Sequence, residues 1–127
     1  MSRSPEEIDY ATHTAWVARA LAYEDVALFI GDSARDGQWV SVGTTRLDLH
    51  PSPGAAEVSI TVAPAWRGRG IATSLLAATL QYGRERLGVT RFEAVIHWNN
   101  VRSHRLFARA GFTCTRMLEP DWMHWDG

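Results

Sequence analysis

The chain lacks several features that define whole classes of protein. Cys114 is its only cysteine, so it forms no internal disulfide and no cysteine-based metal cluster. Its longest apolar run, Val26 to Ile30, is far too short to span a bilayer, and its polar N-terminus resembles no export signal. Repeats and low-complexity tracts are also missing. We therefore expect a protein of the reducing cytoplasm, without a membrane segment and without a metal cofactor.

An excess of charge of one sign is also missing. The 13 Lys and Arg residues nearly balance the 14 Asp and Glu residues, which gives a net charge of -1. Proteins that bind nucleic acid usually carry a basic surface, so this balance disfavours nucleic acid as a partner. With 46% hydrophobic and 21% charged residues the composition is that of a folded globular chain. Its 127 residues suit a single domain over residues 1–127.

What the sequence does contain is a glycine- and arginine-rich stretch from Val62 to Thr73, Val-Ala-Pro-Ala-Trp-Arg-Gly-Arg-Gly-Ile-Ala-Thr. An alternating β-branched run precedes it and an amphipathic run follows it, which predicts strand, loop and helix. Glycines allow positive φ, so several backbone N–H groups can converge at the N-terminus of the helix, where a phosphate-rich ligand is favoured. Arginines between the glycines add positive charge there.

Two well-known phosphate loops do not fit this stretch. A P-loop requires a lysine directly after its last glycine, and none is present. The dinucleotide fingerprint requires a third small residue where Thr73 stands, and its strand should not be broken by a proline such as Pro64. A purely structural turn is the remaining alternative, but it gives no reason for the interleaved arginines.

Hydrophobic periodicity divides the chain into helices and strands. Helices are predicted from Ser4 and Pro5 to about Ala22, from Ile71 to about Leu87, and from Val101 to Ala110. Strands are predicted at Val26 to Ile30, Trp39 to Leu49, Ala56 to Ala63, Phe92 to His97 and Phe112 to Leu118. Asn100 is expected to cap a helix, and Gly88 and Gly111 to end one each. The tail after Pro120 is expected to be too short for a further strand.

The stretch resembles motif A of the GNAT superfamily of N-acetyltransferases, Arg/Gln-x-x-Gly-x-Gly/Ala. The residues that match are Arg67, Gly70 and Ala72, and the family's Val-x-Pro lead-in is matched by Val62 and Pro64. Motif B of the family, Asn-x-x-Ala/Ser-x-x-Leu-Tyr/Phe-x-x-x-Gly-Phe, is matched by Asn100, Ser103, Leu106, Phe107, Gly111 and Phe112. The resemblance covers Glu57 to Phe112.

The resemblance implies an α+β fold of three layers. A mixed, mostly antiparallel sheet, splayed at its centre, would be flanked by helices on both faces. The family's usual first strand has no counterpart before the predicted N-terminal helix, so one sheet edge is expected to be open or covered by a partner. Together with the six tryptophans, this favours a homodimer.

The resemblance also implies acetyl-CoA as cosubstrate. The coenzyme's pyrophosphate would be held by the residues of the loop and the helix start, Arg67, Gly68, Arg69, Gly70, Ala72 and Thr73. Its pantetheine arm would lie between the third strand and the strand from Phe92 to His97. Backbone groups from Ile60 to Val62 would pair with the arm, and Asn100 and Phe107 would contact it from the other side.

Acetyl transfer to an amine requires a neutral nitrogen, a thioester carbonyl about 3 Å from it, and a donor for the developing oxyanion. Glu57 is the only carboxylate on the strand that leads into the loop and is the first candidate for the base, with a solvated glutamate as the alternative. His97 is the second candidate, and His104 is interpreted as part of a solvated helix face. Phe107 stands where many relatives have a tyrosine that protonates the departing thiolate, so that role is vacant or moved.

The acceptor is indicated only by His13 and Trp16 on the predicted first helix. Their spacing resembles a His-x-x-Trp element of GNAT enzymes that acetylate amino-sugar nucleotides in sialic-acid-like sugar biosynthesis, and a packing pair is the alternative. The sequence therefore predicts an N-acetyltransferase that moves the acetyl group of acetyl-CoA to a primary amine of a small molecule by direct attack. A non-catalytic acyl-CoA-binding module is the alternative.

Overall fold

A computed structural model describes the backbone of residues 6–13, 16–22, 26–35, 38–64 and 70–127, and the side chains of residues 26–32, 41–64 and 70–127. The described elements are, in chain order, β1 (Glu6–His13), β2 (Trp16–Ala22), β3 (Val26–Arg35), β4 (Gln38–Leu49), β5 (Ala55–Val62), α1 (Ile71–Arg86), β6 (Arg91–His97), α2 (Val101–Arg109), β7 (Thr113–Leu118) and β8 (Trp122–Asp126). Neither of these helices is long and apolar enough to cross a membrane.

The described strands form one sheet in the order β1-β2-β3-β4-β5-β6-β8-β7. Neighbours pair antiparallel except β5 and β6, which are parallel. The parallel pair is short, because Ala55, Ala56 and Glu57 pair with Arg91, Phe92 and Glu93 and the described strands then separate. The predicted mixed, mostly antiparallel sheet that splays at its centre is therefore confirmed.

The helix predicted up to about Ala22 is wrong, because these residues form the antiparallel strands β1 and β2. Two of the alanines used for that prediction, Ala18 and Ala22, are four residues apart, and a spacing of four satisfies the period of a strand as well as that of a helix. Residues 14–15, between the strands, lie outside the described part of the chain. With this helix gone, the sheet edges among the described strands are β1 and β7.

Both described helices lie on one face of the sheet. A Cβ added to Gly83 of α1 would contact Phe92 of β6 and Leu47 of β4, so these side chains point toward α1. On α2, the His104 ring stacks on Trp125 of β8, whose register partner is Ala94, two residues from Phe92 and on the same face. The predicted N-terminal helix would have covered the other face, but its residues form strands. The described residues therefore place helices on one face and not on both. We call the side of the sheet turned away from α1 and α2 the opposite face.

The C-terminal tail also differs from expectation. Residues after Pro120 form β8, which inserts between β6 and β7 and pairs antiparallel with both. The strand predicted at Phe112 to Leu118 is observed as β7. It is connected to the rest of the sheet by β8, because β8 pairs with both β6 and β7. The remaining predicted strands and helices are confirmed with shifts of a few residues at their ends.

A buried hydroxyl pair joins α1 to β4. Thr45 and Thr79 are almost completely buried, their hydroxyl oxygens lie within hydrogen-bond distance of each other, and Thr79 Oγ1 donates to the Leu75 carbonyl at 2.8 Å. Since Thr79 uses its proton on that carbonyl, the Thr45 hydroxyl donates to Thr79. The Thr79 hydroxyl thereby has two partners and the Thr45 hydroxyl has one, so that both buried groups are satisfied.

We expect Thr79→Val to lower the free energy of unfolding by about 1–3 kcal/mol, because it leaves the Thr45 hydroxyl buried without its acceptor. The double variant Thr45→Val/Thr79→Val removes both hydroxyls, so its loss should be smaller than the sum of the two single losses. Urea unfolding of the four proteins measures both effects. The matched change at Thr44, an exposed threonine of β4, should cost less than about 0.5 kcal/mol, and additive losses at positions 45 and 79 would contradict the pairing.

Candidate functional site

The separation of β5 from β6 opens a gap in the sheet. Glu57 and Glu93 form the last pair before the strands diverge, and we call this point the vertex. The Ala63 N–H donates to the Val42 carbonyl on β4 at 2.8 Å. Because backbone groups alternate between the two sides of a strand, those of Ile60 and Val62 point into the gap. Among the described residues these groups have no backbone partner, so the β5 side of the gap offers peptide groups to a bound extended molecule.

The gap continues into a cleft of about 540 Å³ between β5, α1 and α2. Six of the residues predicted to bind the coenzyme line it: Ile60, Val62, Gly70, Ala72, Thr73 and Asn100. The other predicted loop residues, Arg67, Gly68 and Arg69, lie outside the described part of the chain. The cleft lining thus unites residues of motif A with residues of motif B, which are about 30 positions apart in the sequence.

The first turn of α1 forms one wall of the cleft. Its N-cap is Gly70, which has a φ of 77° and makes no side-chain cap hydrogen bond, and its first turn has no acidic residue. The N–H groups of Ile71, Ala72 and Thr73 precede the first helical hydrogen bond, which Ser74 donates to the Gly70 carbonyl. They face a cleft that these residues line. The positive end of α1 is thus available to an anion.

The N-terminal half of α2 forms the facing wall. Asn100 is its N-cap, as predicted, and accepts a hydrogen bond from the Ser103 N–H at 3.3 Å. Three arginines at helical spacing, Arg102, Arg105 and Arg109, also line the cleft. They were not predicted as coenzyme contacts, although their three- and four-residue spacing on a helix indicates a common side. They add positive charge opposite the helix start of α1.

Phe107 does not reach the cleft. It is 2% exposed and packs edge-on against Phe112, with ring centroids 4.9 Å apart. Its neighbour Leu106 lines the cleft instead. A role for Phe107 against the pantetheine arm therefore stays a prediction, and the observed contact is a core contact.

The two candidate bases lie at opposite ends of the gap. Glu57 is half-buried at the vertex, and alternation places it on the opposite face, since Ala56 and Val58 are buried toward α1. His97 ends β6 at the wide end of the gap, where its Nδ1 lies 2.6 Å from Asn99 Oδ1 and its ring meets the edge of Trp122. His104, interpreted as solvated, is instead partly buried, with Nε2 3.0 Å from the His97 carbonyl oxygen.

Sequence reasoning missed a group of acidic, basic and imidazole side chains around Glu93 on the opposite face. Glu93 is only 16% exposed, and its Oε2 lies 3.0 Å from His50 Nε2, an ion-pair distance without hydrogen-bond alignment. Arg91 and His124 approach its Oε1 at 3.6 Å and 3.8 Å. The signal available in the sequence was the alternation of β6, which separates Glu93 from buried Phe92 and Ala94.

Glu93, His124 and Asp126 have donor atoms within 4.8 Å of one another, which raises the question of a metal. The geometry does not suit one ion, because the two carboxylates lie against different nitrogens of the same ring. Asp126 is 3.6 Å from Nδ1 of His124, and Glu93 is 3.8 Å from Nε2. Nδ1 is also 3.0 Å from the Thr115 hydroxyl. The arrangement is a chain of alternating carboxylates and imidazoles.

The predicted acceptor residues His13 and Trp16 are far from this site. They are cross-strand partners at one end of the β1–β2 hairpin, and β1 is at the other edge of the described sheet. Three strands separate β1 from β5. The shared helix face on which their role was predicted is absent, and a role in acceptor binding stays a prediction.

Comparison with known proteins agrees with this geometry. A family model described as an acetyltransferase (GNAT) domain matches residues 1–113. The chain therefore belongs to the GNAT family of acetyltransferases, as motifs A and B predicted, and acetyl-CoA as the cosubstrate of this family is confirmed with it.

Similar proteins with curated descriptions match over part of the chain. An N-acetyltransferase 9-like protein of Nematostella vectensis is 42% identical over 67 residues, which are 52% of this chain and 32% of that protein. The human alpha/beta-tubulin-N-acetyltransferase 9 is 40% identical over 57 residues, 44% of this chain and 28% of that protein. The matched stretch is about a third of the length of these relatives.

Solved structures share the fold. Spermidine N-acetyltransferase from Vibrio cholerae, in complex with CoA and spermine, has a TM-score of 0.73 at 20% identity and covers 82% of this chain and 66% of that one. The Campylobacter jejuni N-acetyltransferase PseH in complex with acetyl coenzyme A has a TM-score of 0.67 at 17% identity, with coverage of 83% and 69%. The GNAT domain of S. lividans PAT has a TM-score of 0.69 at 28% identity, with coverage of 81% and 60%.

We expect Gly70→Asp to abolish the rise in melting temperature that coenzyme A causes, because it places a carboxylate where the helix start would meet phosphate. Gly70→Asn is the matched control. It has nearly the same shape and the same positive-φ cost, but no charge, so it should keep most of the stabilisation. Thermal unfolding with increasing coenzyme A measures the difference. Equal shifts in both variants would show that Gly70 is not near the phosphates.

Proposed function

We propose that the protein is an N-acetyltransferase that moves the acetyl group of acetyl-CoA to a primary amine of a small molecule by direct attack. The observation that carries this proposal is the gap between β5 and β6, which continues into a cleft lined by the start of α1 and the arginines of α2. A positively charged end and a narrow slot with peptide groups along β5 suit the two halves of coenzyme A.

The coenzyme lies, in this proposal, with its pyrophosphate at the start of α1 and its arm along β5. The predicted loop residues Arg67, Gly68 and Arg69, with Gly70, Ala72 and Thr73, hold the phosphates, and Arg102 or Arg105 adds charge from α2. From Val62 to Glu57 is five residues, or about 17 Å of strand, comparable to an extended phosphopantetheine arm. The thioester then lies near the vertex, where a β5 N–H can donate to its oxygen.

The reaction requires one proton to leave the ammonium before attack. Glu57, the first candidate for the base from the sequence, lies at the vertex, near the proposed position of the thioester. Attack forms the nitrogen–carbon bond and breaks the carbon–sulfur bond, and the second nitrogen proton passes to the thiolate through solvent. Because coenzyme A thiolate is a fair leaving group near neutral pH, Phe107 in place of a tyrosine does not prevent turnover.

A non-catalytic acyl-CoA-binding module is the second candidate. Phe107 favours it, since this position offers no hydroxyl to the leaving thiolate. The group of titratable side chains at the vertex favours the enzyme, because a binding module has no need for partly buried carboxylates and imidazoles beside the thioester. The acceptor class is less constrained. Similar folds include a spermidine N-acetyltransferase and PseH, and the partial relatives include a tubulin acetyltransferase.

An acceptor screen with acetyl-CoA, followed by release of free thiol, tests the proposed function. We expect turnover with at least one small primary amine among spermidine, spermine and amino sugars, and none from Gly70→Asp with the same amine. A lysine-containing peptide completes the panel. Turnover with the peptide alone would overturn the small-molecule acceptor. Coenzyme binding without turnover of any amine would support the binding module instead.

We also propose a homodimer. Met117 on edge strand β7 is 58% exposed, and Trp98 and Trp122 near the same end of the sheet are 54% and 42% exposed. Large apolar side chains beside an edge strand favour coverage by a second copy. Sedimentation at high micromolar concentration should give a dimer, and Met117→Lys should shift it toward monomer. Exchange of exposed Val101 on α2 for lysine is the control, and a monomeric wild-type protein would contradict the proposal.

A further inference from the structure

The opposite face at the vertex contains a histidine that the sequence did not indicate. His50 follows directly after β4, and its backbone N–H donates to the Ala55 carbonyl at the start of β5. Its ring crosses β5 to reach Glu93 on β6, with Nε2 3.0 Å from Oε2. The imidazole therefore lies over the paired end of β5, next to the Glu57–Glu93 pair.

The two nitrogens of the His50 ring differ in their exposure to solvent. Nε2 is inaccessible to solvent and has no hydrogen-bond partner among the described residues, while the side chain as a whole is 36% exposed. The nitrogen that faces Glu93 is thus sequestered, and Nδ1 is the nitrogen left for exchange with solvent or a ligand. A carboxylate at ion-pair distance from one imidazole nitrogen orients the ring and balances the charge that forms when the other nitrogen takes a proton.

On this basis, which rests on the proposed acetyltransferase function, we propose that His50 is the proton acceptor for the amine and that Glu93 is its positioning residue. The ammonium gives one proton to Nδ1 of His50, the free amine attacks the thioester carbonyl, and the carbon–sulfur bond breaks. The thiolate takes the second nitrogen proton through solvent, and His50 returns its proton to solvent. In this assignment Glu57 contributes charge beside the site without accepting the proton.

Charges from each neighbouring element face this dyad. They are Asp48 on β4, Glu57 on β5, Arg91 on β6, and His124 and Asp126 on β8. Arg46 pairs with Asp48 through two nitrogens at 2.9 Å and compensates its charge. Glu93 has a basic group on each oxygen, whereas Glu57 has no ion pair with another described residue. Glu93 is therefore held between basic groups and is suited to orient a base.

Chemical rescue of His50→Ala tests the proposal, with the best amine of the acceptor screen as substrate. We expect kcat to fall about a hundredfold or more, while the coenzyme A thermal shift stays as in the wild-type protein. Added imidazole should restore turnover at least about tenfold in this variant and have no effect on the wild-type protein. His50 is exposed enough for free imidazole to enter the space left by its ring.

The role of Glu93 is tested by the pH dependence of kcat, which the loss of a purely structural residue would not change. Glu93→Gln should lower kcat about tenfold with little change in KM, and should shift the ionisation that limits kcat to lower pH, because the imidazolium loses its stabilising carboxylate. Glu93→Asp should recover part of the loss. Glu119→Gln, the same change at an exposed position, is the matched control and should leave kcat and its pH profile unchanged.

The outcomes separate this inference from the proposed function. If the wild-type protein turns over an amine and His50→Ala keeps that activity, the inference is overturned and the proposed function stands. Loss of activity in Glu57→Gln with imidazole-insensitive His50→Ala would return the base to Glu57. Loss of turnover on treatment with EDTA, restored by Zn²⁺, would replace the dyad by a metal site. Absence of turnover in the wild-type protein overturns both.

Discussion

The site depends on the short pairing of β5 with β6, which ends after three residue pairs. After the Glu57–Glu93 pair, β5 continues along β4 and β6 continues along β8, so each strand keeps one partner and gives up the other. The backbone groups released by this separation must be satisfied, and a ligand that carries amides along its length can do so. The antiparallel pairs on either side hold each of the two strands to its own neighbour along the length of the gap.

The same separation divides the chemistry between the two faces of the sheet. The face that carries α1 and α2 provides an apolar core and, at the helix starts, positive charge for phosphates. The opposite face carries carboxylates and imidazoles at the vertex. A coenzyme that enters from the helices and an amine that arrives from the opposite face would therefore meet at the vertex without competing for space.

Local patterns were enough to predict the central part of the chain. The strand before Gly70, the helix after it and the cap at Asn100 followed from glycine, proline and periodicity. The cleft residues followed from the resemblance to the two family motifs. Contacts between distant strands were not available from such patterns. His50 and Glu93 are 43 positions apart. They meet because β4 and β6 both pair with β5, which brings the end of β4 within reach of β6. The N-terminal error had a related cause, since alanines four apart fit either period and only pairing with β3 decides between them.

Phe107 shows how packing can fix chemistry. The motif comparison treats this position as one that faces the thioester, yet here the ring is buried against Phe112, which Gly127 also contacts. A tyrosine hydroxyl at this position would enter an apolar environment and cost about 1–3 kcal/mol without a partner.

A chain that holds this position in its core gives up an acid for the thiolate. It can do so because thiolate departure needs little help, whereas an ammonium cannot attack until a base has removed its proton. Selection on the reaction should therefore act mainly on the face where that proton leaves, which is where the partly buried carboxylate and imidazoles lie.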